Sequence, residues 1–236
     1  MAWLYPPACI ACKVALPVNG GEFYICARCR PLFAAVPAPF CKKCGQPLGD
    51  GGEGCAACFG KSFHFESNES AFVYDALMRE LLHDLKFRNK KRIATGLGRL
   101  WAERIALPDS EFSLTWLPMH RKKRRERGFD QAEIMACEIA ARLGCPVAKM
   151  LSREADTPPQ SGLHPKLRAE NVSGAFEIAN GAAVAGRSVV IIDDIFTTGA
   201  SINECAKILM DGGAKAVYAR TLAVALKKRE GGKNSR

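Results

Sequence analysis

The chain has 236 residues, 48% of them hydrophobic, which is enough to bury a sizeable core. No apolar run reaches the roughly 18 residues that a membrane-spanning helix needs, and the N-terminal residues lack the pattern of a secretory signal, so we expect a soluble cytoplasmic protein without membrane insertion. The formal net charge of +10 favours anionic partners such as phosphates or nucleic acid.

Eight of the eleven cysteines fall in the first sixty residues as four Cys-x-x-Cys pairs, separated by 13, 11 and 10 residues. The pairs are Cys9/Cys12, Cys26/Cys29, Cys41/Cys44 and Cys55/Cys58. Two such turns complete a tetrahedral thiolate site, so the pattern predicts two structural zinc ions. Iron–sulfur ligation is the alternative metal. Disulfides are disfavoured in a chain that is not exported, and a redox-active Cys-x-x-Cys normally occurs once.

The spacing leaves the connectivity of the four pairs open. Sequential pairing would put the first two pairs on one ion and the last two on the other, whereas an interleaved arrangement would mix them. The segment is short and rich in Pro and Gly, so metal binding would supply most of its folding free energy. We expect a double zinc ribbon over residues 1–65.

Alternating strands and helices follow from about residue 67. The expected elements are strands at Ser70–Tyr74, Phe112–Leu117, Val147–Leu151, Ser188–Ile192 and Ala216–Ala225, and helices at Asp75–Phe87, Ile93–Ile105, Phe129–Leu143 and Ala200–Asp211. The alternation predicts an α/β domain over residues 66–226, with a mostly parallel sheet covered by helices on both faces. The polar stretch Arg153–Ser173 is too long for an ordinary connection and is expected to be a functional loop. We expect residues 227–236 to be a basic, flexible tail.

The apolar strand ending at Ile192 runs directly into two carboxylates, Asp193 and Asp194, and then into a hydroxyl-rich helix start. The residues of that start are Thr197, Thr198, Gly199, Ala200 and Ser201. Ligands of open α/β sheets collect at the carboxyl ends of strands, and free N–H groups at a helix start favour a phosphate. A phosphate cradle beside two acceptors of vicinal hydroxyls suits a ribose 5-phosphate.

Other interpretations of this run exist. Asp-Asp strands also occur as metal-binding pairs and as Walker B strands, but the chain lacks the P-loop that a Walker B strand needs. Ser201 and Glu204 also have capping-box spacing, so they would serve only to start the helix.

A strongly basic segment, Arg121–Arg127, carries six cations and one anion. It would act as a pyrophosphate clamp, as a track for the backbone of nucleic acid, or as a solvated loop. Trp116, Phe129 and Phe40 would either stack on bases or belong to the core.

The run from Val189 to Ser201 resembles the PRPP-binding motif of type I phosphoribosyltransferases. The runs Trp116–His120, Arg127–Ala132 and Thr157–Leu163 resemble the ComF family of competence proteins, which also carries an N-terminal double zinc ribbon. One departure is Asp130, where the family pattern has Asn.

The resemblance implies a type I phosphoribosyltransferase fold and a role for each motif. Asp193 and Asp194 would bind the ribose hydroxyls, and the residues from Thr197 to Ser201 would hold the 5-phosphate. The pyrophosphate, its Mg²⁺ and the closing loop would involve His120, Arg121, Arg127, Gln160 and Arg168.

Two functions are compatible with this resemblance. The first is an enzyme that transfers phosphoribosyl from PRPP to an unidentified acceptor. The second is a non-catalytic protein of natural competence that handles single-stranded DNA together with competence-machinery proteins. A zinc-ribbon regulator is a weaker third hypothesis, because the sequence shows no helix-turn-helix pattern.

Overall fold

The computed structural model describes residues 7–17, 24–48, 55–108, 110–154 and 174–226. After a short 3₁₀ helix at Arg30–Leu32, the elements are β1 (Asn68–Val73), α1 (Ala76–Phe87), α2 (Lys91–Ala102), β2 (Phe112–Trp116), α3 (Arg121–Arg127), α4 (Gln131–Leu143), β3 (Leu151–Arg153), β4 (Phe176–Ile178), β5 (Ser188–Phe196), α5 (Ala200–Asp211) and β6 (Ala216–Val224). None of the helices in these ranges is long and apolar enough to cross a bilayer.

Four strands form a parallel sheet in the order β1-β6-β5-β2, with Thr115 paired to Ile191 and Ile191 paired to Ala219. The central strand β5 is apolar and buried from Val189 to Ile192, as expected for a strand covered on both faces. Two hydrophobic clusters lie on the two sides of the sheet, one with Val190 and Ile192 and the other with Val189 and Ile191. The predicted α/β class is confirmed.

The strand expected at Val147–Leu151 is wrong in its extent. Val147 makes only an isolated parallel bridge with Leu114, and the regular pairing begins at Leu151, where β3 runs antiparallel to β4. The partner strand lies more than twenty residues further along the chain, so the local pattern of Val147–Leu151 contained no information about it.

Strand β5 is four residues longer than its apolar run predicts. Pairing with β6 continues through Asp193↔Thr221 to Phe196↔Val224, so both carboxylates belong to the strand itself. The partner strand β6 ends in the buried apolar run Leu222–Val224, which pairs with this extension.

The cysteine-rich segment packs directly against the sheet. Ala35 bridges Phe72 of β1, and the Val73 N–H donates to the Ala34 carbonyl at 2.8 Å. Gly45 lies so close that a Cβ there would be 2.9 Å from the Ser70 Oγ. The edge strand β1 is therefore covered by the N-terminal segment.

Candidate functional site

The eight predicted zinc ligands form two separate clusters. The first cysteine cluster is Cys9, Cys12, Cys26 and Cys29, and the second is Cys41, Cys44, Cys55 and Cys58. Within each cluster all four sulfurs lie within 4.8 Å of one another. Sequential pairing of the Cys-x-x-Cys units is therefore the observed connectivity, and the interleaved alternative is excluded.

The sulfur geometry fits a tetrahedral zinc ion. Zn–S bonds of about 2.3 Å imply Sγ···Sγ distances of about 3.8 Å. The observed separations are 3.7 Å for Cys12–Cys26 and 3.8 Å for Cys41–Cys58. The N–H of Cys26 lies 3.4 Å from the Cys9 Sγ, a contact that stabilises a thiolate. Gly45 follows the second Cys of its pair with a φ of +71°, and its N–H donates to the Cys41 carbonyl.

The candidate ligand site lies at the carboxyl end of β5, where Asp193 and Asp194 point to different environments. Asp194 is buried. Its Oδ2 forms an ion pair with the Lys86 Nζ at 2.7 Å and accepts a hydrogen bond from the Gln131 Nε2 at 3.1 Å. Gln131 in turn accepts from the Arg127 guanidinium at 2.6 Å. This chain joins α1, α3 and α4 to the central strand.

Asp193 is half-buried, and its Oδ1 accepts the N–H of Asp194 at 2.8 Å. Burial raises the pKa of Asp193 well above its usual range, and the charge of Asp194 adds to this rise. Burial alone would also raise the pKa of Asp194, but the ammonium and hydrogen bond of Lys86, together with Gln131, outweigh it and hold that pKa below its usual value. The environment therefore favours the protonated form of Asp193 and the ionised form of Asp194.

The predicted phosphate cradle, Thr197–Ser201, connects β5 to α5. Gly199 is the N-cap of α5 with a φ of +78°, and it carries no side chain that accepts the N–H groups of the first turn. Thr197 is exposed and Thr198 half-buried, with the Thr198 Oγ1 accepting the Ala200 N–H at 3.4 Å. Backbone N–H groups and hydroxyls at a helix start form the arrangement that binds a phosphate.

The capping-box interpretation of this segment is wrong. Because Gly199 is the N-cap, Ser201 lies inside the first turn. The Glu204 Oε1 accepts the N–H of Gly174 at 3.0 Å instead, which ties the start of the described segment 174–226 to α5.

The basic segment Arg121–Arg127, for which a solvated loop was one of three interpretations, forms the short helix α3. His120 is its N-cap: the Nδ1 faces the Lys122 N–H at 3.4 Å, and the Nε2 lies 3.1 Å from the carbonyl of Glu154. His120 is buried, so its position is one of support for α3, whereas Arg121 at the helix start is exposed. Arg127, in the last turn of α3, is the residue of this segment that reaches the carboxylates, through Gln131.

The departure at Asp130 has a structural explanation. Its Oδ1 caps α4 by accepting the Ala132 N–H at 3.0 Å, and its Oδ2 accepts the Met119 N–H at 2.8 Å. Both side-chain oxygens of Asp130 therefore act as acceptors. A carboxylate has two acceptor oxygens, whereas the amide of Asn has one.

Gln160 and Arg168, predicted for the closing loop, lie outside the described residues. The positions next to this stretch are fixed: the N–H of Glu154 donates to the Ala175 carbonyl at 3.2 Å.

Sequence reasoning missed Lys86 and Gln131, the two partners of Asp194. Lys86 is a polar position of the amphipathic helix α1, and nothing in the local pattern connects it to β5, which begins about a hundred residues later. A signal for Gln131 was present, because this residue lies within the run Arg127–Ala132 that carries the family resemblance.

Two family models match the chain: the double zinc ribbon domain over residues 1–59 and the phosphoribosyl transferase domain over residues 130–236. Both cysteine clusters fall within the first match, and β5 with its two carboxylates falls within the second.

Three curated relatives match most of the chain. It is 29% identical over 223 residues to the DNA utilization protein YhgH of Salmonella typhi, covering 90% of this chain and 94% of that protein. It is 26% identical over 228 residues to competence protein F of Haemophilus influenzae, covering 91% and 96%. It is 25% identical over 200 residues to competence protein ComFC of Bacillus subtilis, covering 81% and 80%.

Proposed function

Because the chain belongs to the competence protein F family, in which a double zinc ribbon precedes a phosphoribosyltransferase domain, we propose that it binds PRPP with Mg²⁺ at the carboxyl end of β5. The observation that carries this proposal is the juxtaposition, within one strand–helix turn, of a half-buried carboxylate at Asp193 and the helix start at Gly199.

In this proposal the 5-phosphate lies against the N–H groups and hydroxyls of Thr197–Ser201. The half-buried Asp193 accepts the ribose hydroxyls directly. Asp194 shares this role after its ion pair with Lys86 is loosened, because that ion pair and Gln131 occupy its Oδ2. Arg127 and the exposed Arg121 supply positive charge for the pyrophosphate and its Mg²⁺, and Gln160 and Arg168 belong to the loop that closes over it.

The reaction that this site would support is phosphoribosyl transfer. The bond between the ribose C1 and the pyrophosphate oxygen breaks, the pyrophosphate leaves with the bonding electrons, and an acceptor forms the new bond to C1. This chain would contribute positioning, charge neutralisation and exclusion of water, which need no nucleophile from the protein.

The test is calorimetric titration of the zinc-loaded protein with PRPP and Mg²⁺, comparing wild type with Asp193→Asn. Loss of a charged acceptor should weaken binding about tenfold or more, because a hydrogen bond to a charged group contributes about 1.5–3 kcal/mol. The matched control is Asp211→Asn, which removes the same charge from the exposed end of α5. Absence of PRPP binding to the folded wild type, or equal affinity in Asp193→Asn, would contradict the proposal.

A further inference from the structure

Lys86 places a positive charge directly on one of the two carboxylates at the end of β5. It lies in the last turn of α1, where the negative end of the helix dipole favours a cation. Its Nζ is 2.7 Å from the Asp194 Oδ2. Burial alone would lower the pKa of Lys86, but the charge and the hydrogen bond of Asp194 outweigh it and raise this pKa. Lys86 is therefore an ammonium ion that occupies an oxygen needed by the ribose hydroxyls.

A second buried carboxylate near this end of α1 has a different environment. Asp84 forms ion pairs with Lys90 at 2.6 Å, with Arg88 at 3.1 Å and with Lys13 at 4.0 Å, which joins α1 to the segment of the first cysteine cluster. Positions 84 and 86 are separated by about 200° around the helix axis, so Asp84 and Lys86 face different sides of α1. The Asp84 side chain is 5% exposed, whereas that of Lys86 is 28% exposed and can be reached by a ligand.

A further cation lies close to Asp194 on its other side. The Arg127 guanidinium donates to the Gln131 Oε1 at 2.6 Å, and the Gln131 Nε2 donates to Asp194 at 3.1 Å. Arg127 is also near enough to Lys86 for its charge to oppose the rise in the Lys86 pKa. Two cations from different helices therefore lie near one ionised carboxylate, an arrangement that suits an additional anionic group.

We propose that Lys86 makes the site selective for PRPP over ribose 5-phosphate. In the free protein its ammonium stays on Asp194. When PRPP binds with Mg²⁺, the ammonium transfers to the pyrophosphate and frees Asp194 for the ribose hydroxyls. Lysine suits this transfer, because it carries a point charge on a flexible stem of four carbons.

Ribose 5-phosphate has no pyrophosphate to receive the ammonium, so Lys86 would stay on Asp194 and the sugar would bind through Asp193. The two ligands therefore differ in affinity because of one side chain. This inference rests on the proposed binding of PRPP and adds the residue that distinguishes PRPP from a simpler ribose phosphate.

The experiment is calorimetric titration of the zinc-loaded protein with PRPP and Mg²⁺ and, separately, with ribose 5-phosphate. Lys86→Met should weaken PRPP binding about tenfold or more, because it loses a charge-assisted hydrogen bond to the pyrophosphate. It should bind ribose 5-phosphate at least as tightly as wild type does, because Asp194 is no longer occupied. Lys86→Arg keeps the charge and should keep most of the preference for PRPP.

The matched control is Lys90→Met, which removes an ammonium from the buried carboxylate of Asp84 and should leave both affinities unchanged. A second measurement needs no variant: saturating pyrophosphate with Mg²⁺ should tighten the binding of ribose 5-phosphate to wild type about fivefold or more, because it takes up the ammonium. In Lys86→Met this coupling should disappear. Circular dichroism confirms that each variant is folded.

Two results would overturn the role of Lys86 while leaving PRPP binding intact. The first is an equal loss of affinity for both ligands in Lys86→Met, which a purely structural ion pair would cause. The second is an affinity of wild type for ribose 5-phosphate that does not respond to pyrophosphate. Absence of PRPP binding to the folded wild type is a separate outcome, and it would overturn the proposed function together with this inference.

Discussion

At the residue level, Asp193 and Asp194 are two identical side chains in different environments. They are adjacent in β5 and so lie on opposite sides of the strand. Asp194 is turned toward Lys86 and Gln131, whereas Asp193 accepts the backbone N–H of Asp194 and its side chain is half-buried. The ionised form of Asp194 is stabilised by the counter-charge of Lys86. The ionised form of Asp193 is destabilised by burial and by the charge of Asp194.

This difference predicts opposite effects on stability for Asp193→Asn and Asp194→Asn. At neutral pH the first should raise the free energy of unfolding by roughly 1 kcal/mol, because it removes a desolvated carboxyl beside another carboxylate. The second should lower it by about 1–3 kcal/mol, because it leaves Lys86 without its counter-charge. Urea unfolding at several pH values measures both.

The pH dependence has a defined sign for each residue. The folded-state pKa of Asp193 is raised, so the advantage of Asp193→Asn should grow as pH rises from the unfolded-state pKa through the folded one. The folded-state pKa of Asp194 is lowered, so the loss in Asp194→Asn should be present above the unfolded-state pKa and disappear as pH falls through the folded value. Equal shifts in both variants would contradict the assignment of the Lys86 ion pair to Asp194.

At the scale of elements, the turn from β5 into α5 depends on a glycine for two reasons. Gly199 adopts a φ of +78°, and a Cβ at this position would lie 2.6 Å from the buried Phe196 ring. Gly128, which ends α3, has the same φ of +78° but would have no atom within 4 Å of an added Cβ. Substitution of Gly128 therefore tests the cost of backbone strain alone, whereas substitution of Gly199 adds the cost of the contact with Phe196.

Gly128→Ala should cost about 1–2 kcal/mol, the penalty of a left-handed conformation for a residue with a Cβ. Gly199→Ala should cost about 2 kcal/mol more, because the Phe196 ring is enclosed and cannot move aside. The measurement is the free energy of unfolding of both variants. If the two losses were equal, Phe196 would be mobile enough to yield and the turn would be less rigid than the structure indicates.

The helix α3 is held at its N-terminus by the buried side chain of His120. His120 caps it and also contacts the carbonyl of Glu154, the last described residue before the stretch that contains Gln160 and Arg168. Asp130 similarly caps α4 while binding the Met119 N–H. The buried side chains of His120 and Asp130 thus fix the two ends of the segment that contains α3.

At the scale of the whole molecule, the two cysteine clusters belong to the two hydrophobic cores. Cys9, Cys29 and Phe33 pack in the same cluster as Phe72 of β1, with the rings of Phe33 and Phe72 meeting edge to face at 5.9 Å. Cys41 and Cys44 pack in the cluster that contains Phe196. The ribbon segment therefore shares the hydrophobic cores of the sheet.

Removal of zinc should therefore destabilise the sheet as well as the ribbons. A strong chelator should lower the Tm of the whole chain by roughly 10 °C, because loss of the thiolate sites releases the cover of β1 and part of both cores. Differential scanning calorimetry with and without chelator measures this.

The control for the zinc experiment is Cys137→Ser, which changes an exposed cysteine outside both clusters and should leave Tm and its chelator response unchanged. A sheet transition that stays at the same temperature in chelator would show instead that the domains are energetically separate.

The features that depend on local pattern could be predicted from the sequence. The Cys-x-x-Cys spacing specified two four-sulfur sites, the apolar run Val189–Ile192 specified the central strand, and Ala200–Asp211 began and ended where its apolar periodicity and flanking glycines required. These features are set by the chemistry of neighbouring residues, so they can be inferred without knowledge of the fold.

Contacts between groups that are distant in the sequence could not be predicted from local pattern. The pairing of Lys86 with Asp194, the contact of His120 with Glu154 and the antiparallel partner of Leu151–Arg153 each join segments that no local periodicity connects. The same holds for Lys13 of the zinc ribbon and Lys90, which both form ion pairs with the buried Asp84. Such contacts depend on how the helices and the ribbon pack against the sheet, and packing is a property of the whole chain.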